Sequence, residues 1–414
     1  MNKFLRFDLV ALTLFLMLVG IGLVNIYSAV YDANNTAIAA GFMQKQLISL
    51  GIGFVLIFLF QFIDIKFFER YASILFLVSI VSLLGLWAFG TEVSGARSWY
   101  AIGGFSLQPS EFAKVAVALA LAKHLGGFNT RIDSVKDYTG AFVIMAIPAI
   151  LTILQPDPGT AIVLLSFFLV LHAEGLPANF LYVILGLFGL FILTLLIGAN
   201  ATLWTIGVLS LFAYTYRRLR KLKKVLRPIL LIGVIMGAAF TLSVSYIFDN
   251  VFEQRHRDRF NILLGKEVDV RGVGYNINQS QIAIGSGRGL GKGYLQGTQT
   301  KGGFVPEQQT DYIFTTVGEE WGFLGTSLVL GLFIMLMMQI VKTAYKQKTT
   351  FSRVFCLGFA CILLTHVGIN LGMVVGLVPT IGIPLPLMSY GGSSLLAFSV
   401  FMGIYLRVYY QRIQ

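Results

Sequence analysis

The sequence predicts an all-α, polytopic membrane protein of about twelve transmembrane helices, with a large outer loop before the tenth. Hydrophobic residues make up 56% of the 414 and charged residues only 12%, a balance far from that of soluble domains and suited to lipid. The apolar runs are close to the length that spans a bilayer. Basic residues recur on alternate connections, the pattern expected of a chain whose N-terminus lies inside.

The runs fall near 9–30, 45–63, 71–90, 109–125, 139–155, 159–175, 180–199, 202–216, 227–248, 312–341, 354–376 and 388–408. The first has no small-residue cleavage site and continues to Tyr27 and Ser28, so it reads as a retained span, not a removed signal peptide. Residues 1–414 read as one integral membrane domain with both termini cytoplasmic. The cytoplasmic connections carry Lys66 and Arg70, then Lys123, Arg131 and Lys136, then a cluster from Arg217 through Arg220, Lys221, Lys223 and Lys224 to Arg227. Lys342, Lys346, Lys348, Arg353, Arg407 and Arg412 follow. The net charge of +12 is therefore accounted for by topology and by attraction to membrane lipids, and nucleic-acid binding is an unnecessary explanation. The cluster at 217–227 reads as a topology anchor, with docking of a cytoplasmic partner as the alternative.

This topology leaves residues 91–108, 249–311 and 377–387 on the outer face, where any substrate chemistry belongs. Asp311 stands where the large loop 249–311 runs into an apolar span. A carboxylate at a membrane surface is a functional candidate, but Thr310 or Asp311 also suits a helix cap. Glu111 and Lys114 lie three apart on one helical face and can pair, either for stability or to shape a site. Asp157, in Gln155-Pro156-Asp157-Pro158-Gly159-Thr160, either caps the next helix or touches substrate. Arg257 and Arg259, in an arginine-rich stretch of the outer loop, suit phosphate oxygens, although snorkelling to lipid phosphates competes. The glycine-rich run 285–293 fits neither nucleotide-binding template. It offers either an anion-binding concavity, with Arg288 and Lys292 adding charge, or turns. Cys356 and Cys361 have no zinc or disulfide spacing, and the four histidines are scattered.

Several segments in register then identify a resemblance. Gln108-Pro109-Ser110-Glu111, the Gln155–Thr160 turn, Gly274-Tyr275-Asn276-Ile277-Asn278-Gln279-Ser280, Thr310-Asp311-Tyr312-Ile313-Phe314 and Pro384-Leu385-Pro386-Leu387-Met388-Ser389-Tyr390-Gly391-Gly392-Ser393 resemble the SEDS family (shape, elongation, division and sporulation), in order along nearly the whole chain. The stretches 279–287 and 382–387 are more similar to the elongation members than to the division members.

The resemblance implies a peptidoglycan glycosyltransferase in the bacterial cytoplasmic membrane that polymerises lipid II at the outer face. Its implied partners are a class B penicillin-binding protein, the nascent glycan strand and the elongation machinery. It makes Asp311 the essential acid or base and maps paired arginines onto Arg257 and Arg259, and a tryptophan-flanked arginine onto Arg97 beside Trp99. Arg97, Glu111, Lys114, Asp157, Arg257, Arg259, Thr310, Ser389, Gly391 and Gly392 are the expected substrate-binding set. The chain departs from the family in having Gln309 where histidine is common and Gly287-Arg288-Gly289 where a glycine pair is usual. It also holds three spans over 176–248 where one is expected, a two-helix insertion on a ten-helix core.

The chemistry fits one carboxylate. A polyprenyl diphosphate leaves without a protonating acid, so the two-carboxylate arrangement of glycosidases is unnecessary. Asp311 can take the proton of the attacking hydroxyl while Arg257, Arg259 or a divalent cation neutralises the diphosphate. The competing function is a transporter of lipid-linked cell-wall precursor. A third is a non-catalytic scaffold, which would leave Asp311 dispensable.

Overall fold

The computed structural model describes residues 7–31, 36–93, 95–103, 105–127, 135–219, 226–250, 252, 254–266 and 273–412. Arg131 and the centre of the basic cluster, Arg220, Lys221, Lys223 and Lys224, lie outside them.

Each apolar run forms helix where the sequence supplies a start. α1 (Leu9–Val30) is capped by Asp8, whose carboxylate accepts from the Ala11 amide. α2 (Thr36–Phe60) begins nine residues before the expected span, and α3 (Ile65–Phe89) opens on a cap from Asp64. α4 (Pro109–Leu125) starts with proline at its first turn, where the missing amide proton costs nothing. α5 (Val135–Leu154), α6 (Pro158–Leu165) and α7 (Phe168–Ala173) follow. Then come α8 (Ala178–Ile197), α9 (Ala199–Leu219), α10 (Leu226–Asn250) and α11 (Gln254–Leu263). The chain ends with α12 (Val273–Gly287), α13 (Thr298–Lys301), α14 (Ile313–Ala344), α15 (Thr350–Val374) and α16 (Gly392–Arg412). Among the described residues, eight helices are long and apolar enough to cross a membrane. The expected runs at 109–125, 139–155, 159–175 and 202–216 are helical but outside those eight.

Large apolar side chains such as Phe58, Leu77, Trp204 and Phe323 are exposed, while Glu111, Lys114, Glu319 and Glu320 are buried. That inversion of the soluble pattern is what lipid as solvent produces, and the chain is an integral membrane protein.

The described chain divides into two compact units, Met1–Leu176 with Asn276–Gln414, and Pro177–Tyr275. In the first, α15 is buried along most of its length and packs against α14 and α4. The alanines of α4 (Ala113, Ala116, Ala118, Ala120 and Ala122) are all buried, and small residues let helix backbones approach closely in lipid. In the second, α8, α9 and α10 pack together, and Phe191, Phe248, Phe252 and Phe260 form an aromatic cluster that joins α11 to α8 and α10.

Four features depart from the expected continuous spans and simple loops. Residues 91–107 form an antiparallel sheet, β1 (Thr91–Val93), β2 (Ala96–Ile102) and β3 (Phe105–Leu107), held to α3 by the Tyr100 hydroxyl on the Ser82 carbonyl at 2.7 Å. The 159–175 run is two helices. Its break lies at Ser166, whose hydroxyl donates back to the Val163 carbonyl at 2.6 Å, a bond that bends helices. The large loop carries three helices, α11 to α13. Finally, α14 is interrupted at Gly322, which has φ 64° and ψ −158°.

The interruption in α14 explains the glycine-rich run. Beyond the break, the Phe323 and Leu324 amides donate to the Arg288 and Gly289 carbonyls at 2.9 and 3.1 Å; before it, the Glu319 and Glu320 carbonyls accept from the Lys292 and Gly293 amides at 3.0 Å each. Residues 288–293 thus supply the partners that the helix lacks: the Lys292 and Gly293 amides and the Lys292 ammonium are engaged with α14, and the Arg288 and Gly291 amides bond the Gly285 and Gly287 carbonyls, so these donors are taken up by the chain itself. A Cβ on Gly287 would meet the Gly318 carbonyl oxygen at 2.0 Å, whereas one on Gly289 would meet nothing within 4 Å. Gly287→Ala is therefore expected to destabilise the protein by about 1–3 kcal/mol, with Gly289→Ala near wild type. Thermal unfolding of the two variants in detergent would check this, and equal midpoints would reject the close-approach argument.

Candidate functional site

α14 begins at Ile313, and its N-cap position is held by Tyr312. The N-cap position thus falls to neither Thr310 nor Asp311. The Thr310 hydroxyl lies instead 3.1 Å from the Glu307 carbonyl oxygen and 3.2 Å from its carboxylate.

Residues 309–312 are each tied to the chain between α15 and α16 or to α15 itself. The Gln309 carbonyl accepts from the Tyr390 amide at 2.8 Å, and the Thr310 carbonyl from the Ser389 hydroxyl at 2.5 Å. The Asp311 carbonyl accepts from Asn370 Nδ2 at 2.7 Å, and the Tyr312 hydroxyl bonds Thr380 Oγ1 at 2.9 Å. The Asp311 side chain faces the bare backbone of Gly382, where a Cβ would lie 3.6 Å from Oδ2.

The opposing segment is held from behind by α15. Asn370 Nδ2 also donates to the Ile383 carbonyl at 2.8 Å. One turn away, His366 Nδ1 lies 3.3 Å from the Pro384 carbonyl, and its Nε2 lies 2.9 Å from Lys114 Nζ. An ammonium only donates, so Nε2 accepts and the imidazole is neutral with its proton on Nδ1, toward Pro384. Lys114 Nζ is also 2.7 Å from Glu111 Oε1, with both side chains buried. The expected pair is therefore a three-membered group that reaches the wall facing Asp311. Glu111 Oε2 and the Ser110 hydroxyl have no hydrogen-bond partner among the described residues.

The other expected residues are placed as follows. Asp157 caps α6, accepting from the Thr160 amide at 3.1 Å and hydroxyl at 2.8 Å, and from Gln108 Nε2 at 3.3 Å. Burial, with the Glu111 charge adding to it, raises its carboxyl above the ordinary range against the opposing Thr160 hydrogen bonds. The next helical turn meets the wall: a Cβ on Gly159 would sit 2.8 Å from the Ile381 carbonyl oxygen. The Gly391 amide donates to Gln46 Oε1 at 3.2 Å, and Gly392 lies so close to Ser49 that a Cβ would be 2.6 Å from its hydroxyl. These two glycines dock the start of α16 on α2. Arg97, on β2, is exposed and donates to the Trp87 carbonyl at 3.2 Å. Arg257 and Arg259 lie on α11 in the second unit, where Arg257 Nη1 donates to the Asp249 carbonyl at 2.8 Å and its Nε has no hydrogen-bond partner among the described residues.

Sequence reasoning missed Asn370, the His366 link, and two buried carboxylates, Glu319 and Glu320. The signal for the glutamates was present, since adjacent carboxylates inside an apolar run are costly unless they have partners. Glu320 meets the Ser28 hydroxyl at 2.6 Å, and Lys301 Nζ lies 4.0 Å from it. Among the described residues no group of three or more His, Cys, Asp or Glu could hold a metal ion.

Breaking one partner of the Glu111–Lys114 pair is expected to cost about 3–5 kcal/mol by stranding the other charge. Glu111→Leu with Lys114→Met should cost less than the sum of the single changes. Unfolding midpoints for the two singles and the double would check this, and normal stability in Glu111→Leu would exclude the pairing argument.

The chain is similar over nearly its full length to proteins of known class. It is 33% identical over 412 residues to the peptidoglycan glycosyltransferase MrdB of Escherichia coli, covering 99% of this chain and 97% of that one. It is 32% identical to the peptidoglycan glycosyltransferase RodA of Treponema pallidum, covering 97% of each. Among solved structures it matches a chain of a peptidoglycan synthase complex that coordinates polymerization and crosslinking, with TM-score 0.73, 29% identity and 99% coverage of both chains. It also matches the rod shape determining protein RodA of Thermus thermophilus, with TM-score 0.63, 26% identity and full coverage of both. Residues 8–414 match the family model for the cell cycle proteins FtsW, RodA and SpoVE, and to that family the chain belongs.

Proposed function

We propose that the chain is a peptidoglycan glycosyltransferase that polymerises lipid II into glycan strands during cell elongation. It works in the bacterial cytoplasmic membrane with both termini inside and Asp311 at the outer face. The observation that carries this reading is the setting of Asp311: it stands one residue before the N-cap of α14, and its carboxylate faces the bare backbone of Gly382 on a segment pinned by Asn370 and His366.

In this reading the hydroxyl of one lipid-linked sugar attacks the anomeric carbon of another from the side opposite the diphosphate. The new C–O bond forms as the bond to the polyprenyl diphosphate breaks, and the electron pair leaves with the diphosphate. Asp311 takes the hydroxyl proton, and direct displacement inverts the anomeric centre. Arg257 and Arg259 hold the departing charge, since guanidinium offers paired, permanently charged donors. Gly382 leaves room beside the carboxylate for the sugar. Thr310 and Ser389 contribute through the bond between them, and Gly391 and Gly392 by docking α16, so these set the shape of the site. Glu111 and Lys114 support the facing wall, Asp157 the start of α6, and Arg97 the edge of the small sheet. A class B penicillin-binding protein is the fitting partner, because a similar chain occurs in a complex that couples polymerization to crosslinking.

Asp311→Asn is expected to lower polymerisation of lipid II by at least about 100-fold while the protein inserts and unfolds as wild type does. The assay is glycan-strand formation from lipid II by purified protein, with and without its partner. Retention of more than about a tenth of wild-type turnover would remove Asp311 as the base. Absence of strands with wild-type protein would favour the transport reading.

Arg257→Ala and Arg259→Ala are expected to weaken lipid II binding, with Arg→Lys substituting poorly at a bidentate contact. Snorkelling predicts the opposite, a silent lysine. Equal affinity and turnover in wild type, Arg257→Lys and Arg257→Ala would take Arg257 out of the site, and the same comparison decides Arg259.

A further inference from the structure

Glu319 has no part in the proposed reaction, yet its carboxylate, on the helix that Asp311 leads into, is enclosed by hydrogen-bond donors. It is fully buried on α14 and receives three consecutive backbone amides, those of Thr298 and Gln299 on Oε1 at 2.9 Å each and that of Thr300 on Oε2 at 2.8 Å. Lys292 Nζ donates to Oε1 at 2.7 Å, and the Thr298 and Thr300 hydroxyls lie at 3.2 and 2.7 Å. Only an ionised carboxylate, which accepts on both oxygens and donates nothing, satisfies such a set. Converging backbone amides of this kind make a ready anion site. Here the chain fills it with its own side chain.

The residues so gathered belong to a strap that leaves α14 and returns to it. At one end the Lys292 and Gly293 amides bond the Glu319 and Glu320 carbonyls. The strap then crosses α1, where Lys301 Nζ donates to the Ser28 carbonyl and Gln308 Nε2 to the Ala29 carbonyl at 2.5 Å. It ends at Gln309–Tyr312, whose bonds to the 380–390 segment aim Asp311 at Gly382. Burial holds the Lys301 ammonium below its ordinary range, against the raising charges of Glu320 and Glu319. Among the described residues two ion pairs tie the strap to α14, Lys292 with Glu319 at 2.7 Å and Lys301 with Glu320 at 4.0 Å.

We propose that Glu319 is a positioning residue for the transfer reaction: by fixing residues 292–301 it sets the place on α14 from which Thr310 and Asp311 are presented. The proposal rests on Asp311 being the base. Shape alone does not suffice, because glutamine would turn its amide group toward either the Thr300 donors or those of Thr298, Gln299 and Lys292. Lys292→Met removes one donor and the counter-charge but leaves the amides, so its effect is the smaller.

The test uses the full chain with its partner and compares wild type, Glu319→Gln, Lys292→Met and Asp311→Asn. Turnover and KM for lipid II are read alongside amide hydrogen exchange across residues 292–311 and in α15. For Glu319→Gln the expected result is a kcat lower by about 10- to 100-fold, the scale of a displacement near 1 Å. KM should stay within about twofold, since binding contacts are kept while transition-state alignment is lost. Exchange should quicken at Thr298–Thr300 and at Gln309–Asp311 but not in α15. Lys292→Met should follow with a smaller change of the same pattern. Unchanged kcat, a lowered kcat with wild-type protection at 292–311, or loss of protection in α15 to the same degree would each overturn the proposal, the last by making Glu319 a support of the whole fold. Asp311→Asn should be inactive with wild-type exchange. If it is active, the base assignment fails separately, because the exchange and kcat of Glu319→Gln do not depend on it.

Discussion

A helix broken inside a membrane has to find partners for its freed backbone groups, and the structure around Asp311 depends on how α14 does so. At Gly322 the helix gives up its own ladder, and residues 288–293 replace it with two carbonyls and two amides. Water cannot serve that purpose at membrane depth, where an unsatisfied peptide group costs several kcal/mol. Close approach of two backbones follows, and with it the need for glycine at 287 and 291, where any Cβ would strike the carbonyls of α14. The glycine-rich run has the composition of a ligand-binding loop, but its ligand is a helix of the same chain.

Buried charge is handled in the same way, by local completion. Lys114 has Glu111 and His366 around it, Glu319 has the amides of α13, and Glu174 has a two-pronged contact with Arg353 at 2.7 Å. Asp8 accepts from Gln339 Nε2 at 2.9 Å and the Tyr405 hydroxyl at 2.6 Å, joining α1, α14 and α16 at the opposite end of α14 from Asp311. Such groups add little net stability compared with apolar replacements, but removing one member of a pair is costly. Their common feature is position: each links helices distant in sequence, so each fixes a register that apolar packing in lipid leaves loosely specified.

Much of this was legible in the chain. Composition and the alternation of basic connections gave the membrane class, and most of the expected runs coincide with helices, the exceptions being the split run at 159–175 and the break at Gly322. The Glu111–Lys114 pair followed from a three-residue spacing on a helix that Pro109 starts, and both alternatives considered for Asp157 began from the chemistry of a short turn, which the structure resolves as a cap on α6. Local physics was enough because these contacts lie within one or two helical turns. Glu319 and Glu320 were legible in principle as carboxylates in an apolar run, but their partners come from a loop about twenty residues earlier and from α1.

The sequence by itself determined the solvent, the apolar runs and the set of polar residues that lipid would not tolerate without partners, because hydropathy and charge act residue by residue. Tertiary structure decided which of those residues meet. It put Tyr312 at the N-cap position of α14 and set the Asp311 carboxylate against Gly382, made Lys114 donate to His366 and so reach the Pro384 carbonyl, and turned the glycine run into the missing backbone of α14. Each outcome depends on contacts between segments from about thirty to 250 residues apart, and sequence periodicity, which reports only which face of a helix is apolar, carries no information about them.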